Sequence, residues 1–261
     1  MTPPPDVVKT RADAPTGFFE AEAEGLAWLA EAEPRGGVRC ARVRAVSPGR
    51  IVLERVASRH PDGETAVRFG RSLARTHDAG AAAFGAPPPG HRGDIFIGRL
   101  PQPTCAEASW GRFYAAARVR PFLDAARGAG NLETPDWRSA HAACERIEAG
   151  EFDDGDAPAR LHGDLWSGNV LWSTEGVVLI DPAAHGGHRE TDLAMLALFG
   201  CPFLERIVEG YEREHPLRDG WPERIPLHQL HPLAVHAVGH GPAYGAALGS
   251  AARAVLALAD C

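Results

Sequence analysis

The sequence predicts an α+β protein with a small antiparallel sheet and one helix near its N-terminus and a larger, mainly helical C-terminal part. Short apolar strands at Val7-Val8 and Ile51-Val52-Leu53 enclose a helical pattern, whereas helical patterns dominate beyond residue 57. A length of 261 residues suits one domain or two closely packed lobes. We therefore expect a partial N-terminal lobe at residues 1–57 and a C-terminal lobe at residues 58–261.

The N-terminal lobe is predicted to contain one helix and a small sheet. A helix is expected at residues 16–33, because apolar residues from Phe19 to Leu29 recur at helical spacing. The stretch 38–46 alternates between apolar and polar residues, and Pro48-Gly49 forms a turn before the last strand. These features predict an antiparallel sheet beside one helix.

The larger lobe is predicted to begin with a helix at residues 64–84, where Phe69, Leu73 and His77 lie on one stripe. The next elements are expected in this order: a Pro/Gly-rich loop at 85–93, helices at 106–129 and 135–150, and an acidic surface loop at 153–156.

The composition argues against several classes of protein. There is no run of 18 apolar residues and no apolar core of a secretory signal, so we expect a cytoplasmic protein without a membrane span. The formal charge of -7 provides no basic surface for a phosphate backbone, so we expect no nucleic-acid partner. The cysteines are never spaced CxxC, which predicts reduced thiols at Cys40, Cys105, Cys144, Cys201 and Cys261.

Lys9 is the one lysine among 27 basic residues, the others being arginine. A compact ammonium that points at one anion cannot be exchanged for a larger planar guanidinium without moving the ligand. The use of lysine at this one position therefore predicts a chemical role for Lys9.

The segment from Leu161 to Asp181 contains the strongest chemical pattern. It reads LHGDLWSGNVLW, then a turn at 173–176, then the apolar strand VVLI and an aspartate. A short hairpin returns the chain to its starting end, so Asn169 and Asp181 should lie close together. An amide oxygen and a carboxylate are suitable ligands for Mg²⁺, which prefers hard oxygen donors.

Asp164 lies five residues before Asn169 and could face a hydroxyl that approaches a metal-bound phosphate. That position suits a general base, and phosphoryl transfer does not require its pKa to be strongly raised. Each of these residues alone could instead satisfy backbone amides in a loop, but the combined pattern favours catalysis. A hydrolase based on His162, Asp164 and Ser167 is disfavoured, because no G-x-S-x-G motif is present.

With Asp181-Pro182, this segment resembles the catalytic and metal loops of the aminoglycoside phosphotransferase and protein-kinase-like superfamily. The Trp166-Ser167 pair within HGDLWSGN is similar to the fructosamine kinase family. The resemblance covers nearly the whole chain and extends to these segments: Phe18-Phe19-Glu20-Ala21-Glu22, Gly25-Leu26, Phe69-Gly70, Leu73-Ala74, His77, Ile97-Gly98-Arg99-Leu100-Pro101-Gln102, Trp110 and Phe113-Tyr114.

The resemblance implies a bilobal protein-kinase-like fold and an ATP-dependent kinase that phosphorylates a sugar hydroxyl of fructosamine or ketosamine adducts, expected at C3. ATP and Mg²⁺ are the implied cofactors, and a small-molecule or protein-bound ketosamine is the implied substrate. Lys9 would contact the nucleotide phosphates and Glu22 would hold Lys9, with Glu20 as the alternative partner. Leu53-Glu54-Arg55 would be the hinge that meets adenine through its backbone.

The resemblance also implies supporting roles for residues outside the phosphoryl-transfer set. Asp192 resembles the aspartate that braces the catalytic loop, although an ordinary helix N-cap would explain it equally well. His162 and Trp166 are expected to support the loop or the substrate.

His236 is expected to line the sugar pocket, because the family has a histidine in this region. A zinc site is the alternative for this His-rich segment. It is disfavoured, because no carboxylate or cysteine completes the set formed by His228, His231, His236 and His240.

The chain departs from the family before Lys9 and at Thr104. Only eight residues precede Lys9, and Pro3-Pro4-Pro5 cannot pair within a central strand, so the glycine-containing hairpin over the ATP phosphates is missing. We therefore expect the natural protein to begin upstream of Met1, with about 25–30 further residues. Thr104 stands where asparagine is expected. A related aminoglycoside- or choline-type kinase and a non-catalytic kinase-like binding protein remain alternatives.

Overall fold

The computed structural model describes residues 5–258. Pro3, Pro4 and Cys261, named above, lie outside the described residues. The cysteines within the described range are free thiols.

The N-terminal elements are, in chain order, β1 (Val7–Thr10), α1 (Phe18–Ala30), a 3₁₀ turn (Glu33–Arg35), β2 (Arg39–Cys40), β3 (Val43–Ser47) and β4 (Arg50–Leu53). The strands β1, β4 and β3 form an antiparallel sheet in that order, with Lys9 opposite Ile51. Helix α1 buries Phe19, Leu26 and Leu29. The predicted helix and sheet are both present.

The C-terminal elements are, in chain order, α2 (Gly63–Asp78), β5 (Ile95–Ile97), β6 (Leu100–Gln102), α3 (Trp110–Phe113), a π-helix (Tyr114–Val119), α4 (Arg120–Gly128), α5 (Thr134–Glu148), β7 (Ala159–Leu161), a 3₁₀ turn (Ser167–Asn169), β8 (Val170–Ser173), β9 (Gly176–Leu179), β10 (His185–Gly187), α6 (Glu190–Leu198), α7 (Leu204–Glu214), α8 (Trp221–Gly239) and α9 (Pro242–Ala257). Helices predominate in this part, as the sequence predicted.

Strand β2 corrects the prediction that residues 38–46 belong to the small antiparallel sheet. It pairs in parallel with β9, with Cys40 opposite Leu179. Cys40 of β2 and the preceding Val38 are buried, whereas most of β3 is exposed. An alternating pattern specifies a strand, but its pairing partner depends on the residues that the rest of the fold brings beside it.

Two predicted helices have different bounds in the structure. Helix α2 ends at Asp78, and Phe84, the last residue of the predicted helix, forms an isolated bridge with Glu107. The helix predicted at 106–129 begins only at Trp110, where the Ser109 side chain accepts a hydrogen bond from the Arg112 backbone N–H. A hydrophobic stripe locates the middle of a helix, while local capping bonds decide its ends.

The hydrophobic core links the small sheet to the hairpin formed by β8 and β9. One cluster joins residues of α1, β4 and α2 to residues of β8 and β9, and another lies between α3, the π-helix, α4, α5, α8 and α9. The lobe boundary at residue 57 stays a prediction, since the first cluster includes residues from both sides of it. Among residues 5–258, no helix combines the length and apolar character needed to cross a membrane.

Candidate active site

The hairpin β8–β9 brings Asn169 and Asp181 to the same end of the structure. Its strands pair antiparallel, with Val170 opposite Leu179, so the residues just before and just after the hairpin meet. The side-chain Nδ2 of Asn169 lies 3.4 Å from the backbone oxygen of Asp181. The proximity predicted from the sequence is therefore observed.

Asn169 also contacts Asp164. Its Nδ2 donates to the backbone oxygen of Asp164 at 2.8 Å and to the Asp164 carboxylate at 3.3 Å. The amide nitrogen is thus directed at the loop, and the hydrogen bonds of Asn169 within residues 5–258 leave its amide oxygen for another ligand. Asp164, Asn169 and Asp181 together present two carboxylates and one amide oxygen at a single place.

Lys9 connects this group to the N-terminal lobe. Its Nζ donates to Oε1 of Glu22 at 2.7 Å and to the carboxylate of Asp181. Burial alone would lower the pKa of Lys9, but the carboxylates of Glu22 and Asp181 raise it above the ordinary value. The ammonium therefore stays charged between two acidic side chains. The structure brings Lys9 to Glu22 and shows no contact with Glu20 in the described residues.

Glu22 lies on the buried face of α1, and its side chain is 10% exposed. Burial raises the pKa of Glu22, the Lys9 ammonium opposes that effect, and the negative charge of Asp181 adds to it. A carboxylate in such surroundings depends on Lys9 for its ionised form.

Asp181 has a left-handed backbone conformation, with φ of 54°. That region is uncommon for residues other than glycine, although aspartate and asparagine tolerate it better than most side chains. Its side chain is 41% exposed and faces the cavity described below. Backbone strain of this kind persists where the surrounding fold requires it, and it often occurs at functional sites.

Asp192 fixes the start of the loop that carries Asp164. Its carboxylate accepts hydrogen bonds from the backbone N–H groups of His162 at 2.8 Å and Gly163 at 3.0 Å, and Oδ2 lies 3.2 Å from Nε2 of His77. Burial would raise the pKa of Asp192, but the hydrogen bond and charge from His77 lower it. Asp192 is the third residue of α6 and does not cap that helix, so the N-cap alternative is wrong.

His162 is a neutral imidazole in this structure, because burial lowers its pKa. Its Nδ1 accepts from the backbone N–H of Asp164 at 3.3 Å, so Nε2 carries the proton and donates to the carbonyl of Ile180 at 2.9 Å. His162 thus ties the loop that carries Asp164 to the strand end that carries Asp181.

Asp164 has a raised pKa, although phosphoryl transfer does not require one. Burial raises the pKa of Asp164 to about 7, the hydrogen bond from Asn169 opposes this, and the charges of Asp181 and Asp192 add to it. The sequence could not show this desolvation, because it depends on packing by distant segments.

A cavity of about 870 Å³ lies between the small sheet, α1, the β5–β6 hairpin and α8, and it is lined by Lys9, Glu22, Asp164, Asn169 and Asp181. Trp166 and His236 line it as well, and both contact Phe199, with ring centroids 6.4 and 4.7 Å away respectively. Trp166 is 40% exposed, as expected for a residue at an open site. Nδ1 of His236 is bound to the carbonyl of Pro232 at 2.8 Å, which orients the ring.

Two walls of the cavity are formed by residues for which no role was predicted. Phe18 of α1 and Phe96 of β5 meet with ring centroids 5.1 Å apart, so the β5–β6 hairpin closes one side of the cavity. Arg11 lies on the same strand end as Lys9, two residues later, and also lines the cavity. Arg11 could have been identified because it lies two residues after Lys9, a spacing that places two side chains on the same face of a strand. No local sequence pattern indicated that Phe96 would contact α1.

The predicted hinge does not line this cavity. Leu53 is buried in β4 opposite Val7, Glu54 donates its backbone N–H to Arg42, and Arg55 donates to the carbonyl of Pro5 at 2.8 Å. Its role toward adenine stays a prediction. Thr104, the other departure noted in the sequence, donates its hydroxyl to the carbonyl of Gly93 at 2.9 Å.

The histidines considered as zinc ligands lie in different surroundings. A carboxylate does join one of them, contrary to our expectation: Glu190 lies 3.3 Å from His228, and His188 is close to both. The guanidinium of Arg224 already donates to both oxygens of Glu190. His236 and His240 instead contact Tyr244 as part of an aromatic group, with centroids 5.1 and 6.0 Å from its ring.

Comparison with known proteins identifies relatives over nearly the whole chain. A sequence profile described as fructosamine kinase matches residues 6–257. The Thermus thermophilus protein named Probable ketoamine kinase is 34% identical over 253 residues, covering 96% of this chain and 86% of that protein.

Solved structures agree with that assignment. A Thermobifida fusca protein, solved as a candidate fructosamine-3-kinase, has a TM-score of 0.89 and 44% identity, covering 96% of this chain and 85% of the other. The aminoglycoside phosphotransferase APH(4)-Ia, in a complex with ADP and hygromycin B, has a TM-score of 0.59 at 12% identity and covers 90% of this chain and 82% of its own. That likeness establishes a protein-kinase-like fold, as the sequence predicted.

Proposed function

The chain belongs to the fructosamine kinase family, and from this premise we propose that it transfers the γ-phosphoryl group of ATP to the C3 hydroxyl of a ketosamine. Membership of the family makes the chain a sugar-amine kinase, a phosphotransferase that acts on a hydroxyl group. The nucleotide, the metal and the position of the hydroxyl are our proposal. The observation that carries it is the convergence of Lys9, Asp164, Asn169 and Asp181 on one cavity.

Mg²⁺ fits the residues found at this place. The Asp181 carboxylate and the Asn169 amide oxygen are hard oxygen donors from two sides of one hairpin end, and a magnesium ion needs few protein ligands when phosphates and water complete its shell. When bound there, the ion would neutralise part of the negative charge of the phosphates. We propose Asn169 and Asp181 as the residues that hold it.

Lys9 is proposed to orient the nucleotide phosphates. Its ammonium faces the cavity from β1 and is positioned by Glu22, whose own place is set by the buried face of α1. An ammonium held in this way can direct its N–H donors at phosphate oxygens, because its own position is fixed by the protein. The distant APH(4)-Ia, which shares this fold, was solved in a complex with ADP, and this supports a nucleotide as the phosphoryl donor.

Asp164 is proposed to orient the sugar hydroxyl and to accept its proton. The carboxylate lies in the loop beside Asn169 and lines the cavity, so a hydroxyl bound there would face the transferring group. The proton leaves late in a loose phosphoryl-transfer transition state, so positioning contributes more than basicity. The Asp192 and His162 hydrogen bonds hold the loop in this place.

The acceptor is proposed to bind against Trp166 and His236. An aromatic ring offers a flat apolar surface, and the imidazole offers a polar atom for a sugar hydroxyl. Both residues line the cavity on the side of α8, across from Lys9 and Glu22 on the N-terminal elements. A ketosamine between them would present its hydroxyl groups to Asp164.

The test is a turnover assay with Mg-ATP and a panel of acceptors. Fructosyl-, ribulosyl- and erythrulosyl-amines are assayed beside kanamycin and choline, and two-dimensional NMR of the product locates the phosphate. We expect phosphate at C3 of a ketosamine and poor use of kanamycin and choline. A clear preference for either of those two would contradict the proposed acceptor. Binding of ketosamine without any phosphorylated product would favour a non-catalytic binding protein.

A further inference from the structure

Arg118 is a buried cation for which the described part of the chain supplies no carboxylate partner. The residue lies in the π-helix and is 1% exposed. Its Nη1 donates to the carbonyls of Pro103 at 2.8 Å and Ala117 at 3.0 Å, and its Nε faces Nε2 of His185 at 3.4 Å. Its Nη2 is buried without a hydrogen-bond partner among residues 5–258. Neutral groups therefore hold the guanidinium in place, and Nη2 is the nitrogen left without a hydrogen bond among the described residues.

The charge on Arg118 is retained under ordinary conditions. Burial lowers the pKa of Arg118 to about 9, and the nearest titratable groups that oppose this effect are Cys105 and Tyr114. Both of these are neutral near pH 7, because burial raises the pKa of each. A buried positive charge without an anion is costly, and proteins usually pair such a charge.

Two further buried polar side chains near Arg118 lack partners within the described chain. Gln102, fully buried at the end of β6, has neither its amide nitrogen nor its oxygen bonded, and it directly precedes Pro103, whose carbonyl Arg118 binds. His231 of α8 is 3% exposed, and its Nε2 is unbonded. Burial, and the positive charge of Arg118, lower the pKa of His231 well below its usual range, so this ring is neutral. Each of the three side chains can donate an N–H.

We propose that Arg118, with Gln102 and His231 beside it, holds a small monovalent anion of the halide type between β6, the π-helix and α8. The ion is monovalent because one guanidinium charge is to be balanced and the neighbouring histidines are neutral. It is small because every one of these side chains is at least 97% buried. Water could complete the hydrogen bonds, but it would leave the charge unbalanced.

The anion site lies directly behind the wall of the active cavity. His185, which Arg118 contacts, binds the carbonyl of Ala183 at 2.8 Å, two residues after Asp181. Leu100 of β6 and Val235 of α8 belong to the elements that carry Gln102 and His231, and both line the cavity. This inference goes beyond the proposed function, since it requires neither the nucleotide nor the ketosamine.

Thermal unfolding of the full chain tests the proposal. The melting temperature is measured at constant ionic strength while sodium gluconate is replaced by sodium chloride or sodium bromide. We expect a rise of about 3–5 °C when the halide reaches ten times its Kd. Arg118→Met should lose the halide response. Arg112→Met, which changes an exposed arginine on the neighbouring α3, should keep it.

A crystal of the wild-type protein grown in bromide gives a second test that needs no variant to fold. An anomalous peak within hydrogen-bond distance of Arg118 Nη2 would support the site. The proposal is overturned if Gln102 Oε1 or an ordered water occupies that position with no anomalous peak. It is also overturned if chloride and gluconate give the same melting curve for wild type.

Discussion

Nζ of Lys9 lies 2.7 Å from Oε1 of Glu22 and also contacts the carboxylate of Asp181, so the single lysine of the chain joins β1 both to α1 and to the end of the catalytic hairpin. An ammonium held by two carboxylates from different parts of the fold has a defined position. That position depends on Glu22, whose side chain lies on the buried face of α1.

Glu22→Gln should weaken nucleotide binding, because Lys9 would lose a charge-assisted bond that positions it. We expect the Kd for Mg-ATP to rise roughly tenfold or more, as a bond of about 1.5–3 kcal/mol is lost. Isothermal titration measures this directly. Glu20→Gln is the matched control on the same helix and should stay within about twofold of wild type, because Glu20 does not contact Lys9. Equal effects of both changes would contradict the assignment of Glu22.

Asp164→Asn should abolish most phosphoryl transfer while leaving Mg-ATP affinity within a few-fold, because Asp164 is proposed to meet the acceptor hydroxyl. The loss of turnover should be about 10²–10⁴-fold, the usual contribution of a positioned general base. Asp181→Asn should instead raise the Mg²⁺ concentration that supports half-maximal turnover. Turnover and ATP affinity are measured for both variants. Activity of Asp164→Asn equal to wild type would refute its catalytic role.

Gly163→Ala should disrupt the catalytic loop. A Cβ at this position would lie 2.2 Å from the carbonyl oxygen of Ala183, and the backbone φ of 80° is unfavourable for alanine. Gly176→Ala is the matched control: φ there is also positive, but a Cβ would meet no atom within 4 Å. We expect the control to lose about 1 kcal/mol of unfolding free energy. Gly163→Ala should lose several times more, as measured by urea unfolding, and similar losses would show that the contact with Ala183 is unimportant.

Glu190→Gln should remove a pH-dependent contribution to stability. Burial opposes ionisation of Glu190, but hydrogen bonds from His228 and Arg224 lower its pKa to about 2, below the ordinary 4.5. Because the folded state favours the ionised form, this contribution of about 3 kcal/mol is present above pH 4.5 and is lost as the pH falls toward 2.

The measurement for Glu190→Gln is the unfolding free energy of wild type and variant at pH 6 and pH 3. The difference between them should narrow by roughly half or more at the lower pH. Glu212→Gln, at an exposed position on α7, is the control and should differ little from wild type at either pH. A difference that is independent of pH would show that Glu190 acts through packing and not through its charge.

Much of the candidate site could be predicted because its geometry is local. The hairpin β8–β9 has a short turn, so the distance between Asn169 and Asp181 follows from antiparallel pairing alone. The importance of Lys9 followed from its being the only lysine. Its pairing with Glu22 in place of Glu20 came from the family resemblance, and the burial of one face of α1 explains it.

Other features could not be predicted because they depend on contacts between distant segments. The parallel pairing of β2 with β9 joins residues about 140 apart in sequence, which the alternating pattern of residues 38–46 does not encode. The contact between Phe18 and Phe96 and the raised pKa of Asp164 likewise arise only when separate elements pack together.

The sequence by itself determined the chemistry available to this protein: a carboxylate, an amide and a second carboxylate at hairpin spacing, and one lysine on a short strand. These follow from residue identity and from near-neighbour geometry, which the backbone fixes over a few residues. The tertiary structure alone decided that Asp192 supports the loop of His162 and Gly163, and that Arg118 is buried with no carboxylate partner among residues 5–258. Hydrogen-bond partners and desolvation depend on which distant segments pack around a side chain, so they exist only in the folded chain.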